Sequence, residues 1–375
     1  MYKSITNNYD IGKKRPKLAC RQQIIFEPTE EWNYAHHPGI AYFKGRYFVS
    51  FSSGRNHEDD AGQRFMYAVS DDFEDWSPAR LLQDAPDPAH DVLSPGGFWV
   101  DGDRIIAFYS MFSYKDEALK NGSRRPGSAG RIRRGCFYKV STDGDNWSEP
   151  VSLGDTYIHG NIIRLKSGRL LSVGGNNCAW NDTSDVLSGW KTSLIYPDGY
   201  PKGNDSADSS EGVFADTPAG LVSDTNVALC EGDAIQAKGG TLYMYLRSGT
   251  PYLWVSESHD EGETWSLPEP TRFTDNRTKF DLGQLPDGRY YYVGTPDPFP
   301  PRTRHTLVLS ISEDGLNWKH HYLLADAQYK GRYPGIDKNG VYGYPAALIR
   351  DGYMHVAFSI NKEKLAVLRV ACDTL

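Results

Sequence analysis

Six short segments of this 375-residue chain combine ionisable or hydroxyl side chains with proline or glycine, each beside an apolar run. They are His36-His37-Pro38, Ser94-Pro95-Gly96-Gly97, His159-Gly160-Asn161, Cys230-Glu231-Gly232, Asn276-Arg277-Thr278-Lys279 and Tyr342-Gly343-Tyr344-Pro345. Histidine moves protons near neutral pH. Glutamate and tyrosine form the pairs used in general acid–base and nucleophilic catalysis, and lysine answers a negative charge on a substrate. Each also has a structural reading. Histidines before a proline cap the start of a strand, Glu231 makes an ion pair with Arg247, and Tyr-Gly-Tyr-Pro is good turn chemistry.

These residues need elements that hold them, and the chain supplies one unit repeatedly. Two apolar runs flank a turn containing glycine in IAYFKGRYFVSF, FWVDGDRIIAFYS, IIRLKSGRLLSV, IQAKGGTLYMYL, GQLPDGRYYYVG and ALIRDGYMHVAF. The turn glycines are Gly45, Gly102, Gly168, Gly240, Gly288 and Gly352. Strand-forming residues around a glycine that accepts positive φ predict hairpins. A third strand follows each: MYAVSDD, CFYKVSTD, SLIYPDG, LWVSESHD, LVLSISED and LAVLRVACD. A period of roughly 60 residues is one four-stranded propeller blade. The spacing therefore predicts an all-β chain, a single β-propeller domain over residues 1–375, with six blades. A seventh would have to lie in residues 176–228, where the repeat is faint. The sixth blade has three strands before Leu375, so CRQQIIFEP (residues 20–28) is expected to add the fourth and close the ring.

Composition narrows the function. The net charge is −7, which argues against nucleic acid as a partner. No apolar run approaches the ~20 residues of a membrane span, and MYKSITNNYDIGKKRPKLAC has no apolar leader core, so the expectation is a cytoplasmic chain with no membrane partner. Five scattered cysteines without a CxxC, and no HExxH or calcium-loop pattern, predict neither disulfides nor a metal or other cofactor, a channel calcium being the one form such spacing would not reveal. The 24 tyrosines, 15 phenylalanines and 9 tryptophans favour many short strands and surfaces that stack on sugars.

Four third strands run into one turn type: SDDFEDW, STDGDNW, SHDEGETW and SEDGLNW. Ser258-x-Asp260-x-Gly262-x-Thr264-Trp265 is the full Asp-box. Serine and aspartate bond the turn backbone and tryptophan packs beneath, so these are folding devices. On these motifs the chain resembles the sialidase-like propellers, which implies an exo-acting, glycan-degrading enzyme. The resemblance assigns Arg247 and Arg304 to two arms of the arginine triad that grips a substrate carboxylate. It assigns Tyr344 and Glu231 to the nucleophile pair, and the acid/base aspartate falls at Asp59 or Asp60, after Arg55, with Asp60 chosen and Arg55 counted among the substrate-binding residues. His36-His37-Pro38 stands where the family has Arg-Ile-Pro. His36 is then a substrate-binding residue without the bidentate guanidinium fork.

Other segments, HHPGIAYFKGRYFVSF, DDAGQRFMYAVSDDFEDW, FDLGQLPDGRYYYVG and FSINKEKLAVLRV, resemble propellers that cut the rhamnose–glucuronate bond as rhamnosidases or lyases. That points to an acidic, uronate-containing oligosaccharide as substrate. An elimination would use Arg247, Arg304 and Lys279 on the carboxylate, His37 or His159 as base and Tyr344 as acid. A hydrolysis would use Tyr344, Glu231 and Asp60. A sialidase-type hydrolase and a non-catalytic glycan-binding propeller are the alternatives.

Overall fold

The computed structural model describes residues 3–125, 130–156, 158, 160–174, 177–183, 185–194 and 229–375. The chain is an all-β propeller of six four-stranded antiparallel blades. Among the described residues the only helices are two single 3-10 turns, Asp116–Ala118 and Cys372–Thr374. Among the described residues no helix is long and apolar enough to cross a membrane.

Contacts divide the chain into two compact units of three blades each. One unit comprises Cys20–Asn161 and Tyr329–Ala371. Its strand β1 (Arg21–Phe26) precedes a first blade of β2 (Tyr34–Phe43), β3 (Arg46–Gly54), β4 (Arg64–Ser70) and β5 (Arg80–Gln83). The second blade holds β6 (Asp91–Asp101), β7 (Arg104–Tyr114), β10 (Arg131–Ser141) and β11 (Val151–Ser152), with the small hairpin β8 (Leu119–Lys120) and β9 (Ser123–Arg124) inserted. The last blade holds β24 (Tyr342–Arg350), β25 (Tyr353–Ile360) and β26 (Lys364–Ala371), and β1 pairs antiparallel with β26, Arg21 facing Arg369. CRQQIIFEP thus supplies the missing fourth strand.

The other unit comprises Met1–Ala19, Ile162–Gln328 and Cys372–Leu375. Its blades are β12 (Ile162–Arg164), β13 (Leu170–Gly174), β14 (Asn177–Asn181) and β15 (Lys191–Leu194); then β16 (Gly232–Gln236), β17 (Leu242–Leu246), β18 (Tyr252–Ser258) and β19 (Glu269–Thr274); then β20 (Asp281–Gln284), β21 (Tyr290–Gly294), β22 (Leu307–Ser312) and β23 (Trp318–Ala325). Ahead of these, Ile5 is buried in the core beside Phe273 and Trp318.

All six hairpin glycines have positive φ, from 62° to 98°. One strand is misplaced by the sequence: SLIYPDG is not the third strand of the third blade. That strand is β14, and Lys191–Leu194 is the outer one, with residues 195–199 outside the described residues. Trp180 of β14 fixes the pairing, its indole N–H donating to Ser193 Oγ at 2.9 Å. The five-residue NCAWN carries too short an alternation to mark itself.

The cores form where neighbouring blades face each other. Phe43, Phe48, Phe65 and Tyr67 of the first blade meet Ile105 and Tyr109 of the second. Each such large side chain contributes about 2–3 kcal/mol of burial. The Asp-box turns are the folding devices their residues predict. Ser258 Oγ accepts from Gly262 N at 2.9 Å and Asp260 Oδ1 from Thr264 N at 2.9 Å. Asp314 Oδ1 accepts from Leu316 N and Asn317 N at 2.8 and 2.7 Å.

Candidate active site

In the unit holding the first blade, the innermost strand breaks its own alternation. His36 pairs with Ser52 and Gly39 with Ser50, so His37 and Pro38 together oppose Phe51. This is a β-bulge, and His37 takes φ 53°. Neighbouring side chains on a regular strand point to opposite faces. Here the bulge brings the two imidazoles together, with ring centroids 4.7 Å apart. The last blade repeats the device: Gly343 pairs with Ser359 and Ala346 with Ala357, leaving Tyr344-Pro345 opposite Phe358. Tyr344 takes φ 52° and its ring stands edge-on to His36 at 4.0 Å and to His37 at 5.1 Å. Proline is tolerated because these are inner edge strands at a bulge, where no ladder donor is needed.

Two serines lock the bulges. Ser52 Oγ donates to the His36 carbonyl at 3.0 Å and lies 3.0 Å from His37 Nδ1. Ser359 Oγ donates to the Gly343 carbonyl at 3.1 Å and lies 2.7 Å from His36 Nδ1. Each hydroxyl has spent its proton on a carbonyl, so it accepts from the imidazole. In the neutral rings the proton is therefore assigned to Nδ1 and the lone pair to Nε2. His36 is fully buried and Tyr344 is 5% exposed.

Two ion pairs stand beside the histidines. Glu58, on the loop after β3, takes Lys362 Nζ on Oε2 at 2.5 Å and sets Oε1 3.9 Å from His36 Nε2. Lys362, at the turn after β25, also accepts the Ala35 amide on its carbonyl at 2.9 Å. Asp59 is ion-paired to Arg131. Burial opposes its charge, but Arg131, with His37 and Arg124 behind it, outweighs burial and holds its carboxyl at about 2.

Asp60 sits elsewhere: it is buried and accepts the Arg124 amide at 2.9 Å and Ser123 Oγ at 3.3 Å, anchoring the β8–β9 hairpin. Asp59, the other aspartate open to the sequence reading, has its charge favoured by His37. Arg55 lies on the surface between Glu31, at 3.5 Å, and the face of Trp32. His159 is outside the described residues. Glu363 is buried and pins the segment before β24, accepting from Tyr333 N at 2.8 Å and Lys338 Nζ at 3.2 Å.

The other unit carries a second charged cluster. Arg247 Nη1 meets Glu231 Oε2 at 2.6 Å, and their backbones bond across the start of the β16–β17 pair. Asp233, on inner strand β16, accepts the amides of Ala234 and Leu282. Burial, then the Asp281 carboxylate, push its carboxyl up to about 8. Lys279 is pulled down by burial against Asp233, Glu231 and Asp281. Arg304 is buried and donates to the Arg277 carbonyl at 2.8 Å, while burial raises Asp275 to about 6 against nearby Arg247 and Arg304. Arg247, Glu231, Lys279 and Arg304 thus belong to one charged neighbourhood.

Sequence reasoning passed over Glu58, Ser52, Ser359, Arg131, Asp233 and Asp281. Asp233 was the most readable, as the one ionisable residue inside an otherwise apolar inner strand. Among the described residues, His36, His37 and Glu58 form the one group of three metal-ligating side chains whose ligand atoms gather within 4.8 Å.

Known folds agree with this construction. A protein of unknown function from Dyadobacter fermentans superposes with a TM-score of 0.64 at 16% identity, over 94% of this chain and 99% of that one. The intramolecular trans-sialidase from Ruminococcus gnavus gives 0.61 at 15%, over 94% and 97%. The NanB sialidase from Streptococcus pneumoniae gives 0.60 at 15%, over 94% and 71%. No curated protein matches the chain by sequence. These likenesses bear on the sialidase-like reading of the fold and leave the rhamnose–glucuronate resemblance without support. The repeated hairpins and Asp-box turns coincide with a family model for the BNR repeat-like domain, matched over residues 46–356, and the chain belongs to that family.

Proposed function

We propose that the chain is an exo-acting carbohydrate-active enzyme that removes a terminal sugar from an acidic glycan at a bond beside a uronate. One observation carries this reading: two bulged inner strands aim Tyr344 against His36 and His37, with charged Glu58 and Asp59 around them. Strained non-glycine backbone at a paired His–Tyr contact is where a fold holds reacting groups. An elimination next to a uronate needs a base for the C5 proton and an acid for the leaving oxygen. His37 would act through Nε2, since Nδ1 is committed to Ser52, and Tyr344 would return the proton. In this unit Arg131, beside Asp59, is the cationic candidate for the carboxylate. Histidine where the resemblance expects the first triad arginine favours a uronate over a sialoside.

A panel of acidic oligosaccharides followed by mass spectrometry tests the reading. Release of a terminal sugar with a 4,5-unsaturated uronate, seen by near-ultraviolet absorbance, is the expected result. A saturated product means hydrolysis, and turnover of a fluorogenic sialoside alone transfers the chain to the sialidase-type reading, which the solved sialidases of this fold favour. Glycan binding with no product at all overturns the enzyme assignment.

A further inference from the structure

The imidazoles of His36 and His37 have a second use. We infer that His36, His37 and Glu58 bind one divalent transition-metal ion of the zinc type, with a coordination position left open.

Geometry gives the first argument. One ligand atom from each residue falls within 4.8 Å of the others, and His36 Nε2 and Glu58 Oε1 are 3.9 Å apart. Ligands around a tetrahedral ion with bonds of about 2.0–2.1 Å stand roughly 3.3–3.5 Å apart, so His36 and Glu58 close by about half an ångström on binding and no pair has to close by more than about 1.5 Å. Adjacent residues on a strand do not converge on one ion. Here the His37-Pro38 bulge, with its positive φ, turns both rings to one place.

Proton bookkeeping gives the second. Ser52 and Ser359 each donate to a main-chain carbonyl and accept from an imidazole Nδ1. That leaves the Nε2 lone pairs as the ligand atoms, and it is the outer-shell support that ligating histidines carry. The carboxylate is treated alike, because Lys362 holds Glu58 Oε2 and presents Oε1.

Donor type then selects the ion. Two imidazole nitrogens and one carboxylate suit zinc and its neighbours, whereas calcium and magnesium take oxygen. Three protein ligands are the number at zinc sites that keep a position for water or a substrate oxygen. A bound ion would make His37 a ligand and leave proton transfer to Tyr344. The inference deepens the reading of this site but stands on the triad alone, since metal uptake is read without any glycan.

The experiment strips the full chain with a chelator and titrates it with zinc, then with cobalt(II). One equivalent per chain, and the intense visible absorption of four-coordinate cobalt, are expected. His37→Gln and Glu58→Gln should each weaken zinc binding at least ~100-fold, and Ser52→Ala ~10–100-fold, the usual cost of losing an outer-shell partner. No stoichiometric uptake, or uptake unchanged in the folded variants, overturns the site. If a variant does not fold, the cobalt spectrum of the parent chain decides: no absorption of four-coordinate cobalt ends the proposal. A chain that cleaves glycans but takes no metal keeps the enzymatic reading with His37 as base.

Discussion

Tyr344 is the residue on which the chemistry is most exposed to test. Its ring packs edge-on to two imidazoles, and the packing survives loss of the hydroxyl. Tyr344→Phe should therefore keep its thermal midpoint and lower kcat by about 10²–10⁴, the usual worth of a positioned proton-transfer group. Steady-state kinetics beside a melting curve check both halves. Asp233 makes a separate prediction. Its folded carboxyl sits at about 8 through burial and Asp281, above the ordinary 3.8, so the folded chain keeps a proton that the unfolded chain gives up. That contribution is full below about pH 4 and is lost as pH rises towards 8. Asp233→Asn, with one oxygen for the amides of Ala234 and Leu282, should cost stability at pH 4, and the deficit against the parent should shrink or reverse by pH 8, where the parent has lost its protonated-carboxyl contribution, measured by urea denaturation. His37 and Tyr344 could be singled out in the sequence because each precedes a proline beside an apolar run. Glu58 could not, because it reaches His36 only through the loop after β3, and no spacing motif joins residues 36, 37 and 58.

At the scale of the element, the inner strands are packed to the backbone. A Cβ on Gly39 would meet the Cα of Gly97 at 2.8 Å and Ser50 Oγ at 2.9 Å, where β2 passes β6. Gly39→Ala must push these strands apart. It should cost about 1–3 kcal/mol, the usual penalty of overpacking, and reduce activity along with stability because His37 is two residues away. Chemical denaturation measures the first and turnover the second. Hairpins and third strands were legible because period-two alternation and turn glycines are local signals. The bulges were not, since an extra residue shows only against the partner strand. The third blade was misread for a related reason: NCAWN is recognised as a strand by what it pairs with, not by its own pattern.

For the whole molecule, the Asp-box turns act as distributed acid sensors. Burial works against the charge of Asp314, but the amides of Leu316 and Asn317, with the Asn317 side chain, hold its carboxyl at about 2. Asp143 is lowered by Asn146 and neighbouring amides, and Asp72 by the amides of Asp75 and Glu74. Lowered folded values stabilise above the ordinary 3.8 and are lost as pH falls through the folded ones. Asp314→Asn should thus lower the unfolding midpoint at pH 6, with the difference shrinking between about pH 4 and 2. A thermal-melt series across that range would show a constant difference if the turn carried no charge-dependent stability.

The pairing of β1 with β26 joins residues 21–26 to residues 365–369. A ribosome releases the first of these segments long before it has made the second. Until residues 365–369 have been made, β1 must wait as a bare edge, open to chaperones or to a neighbouring nascent chain.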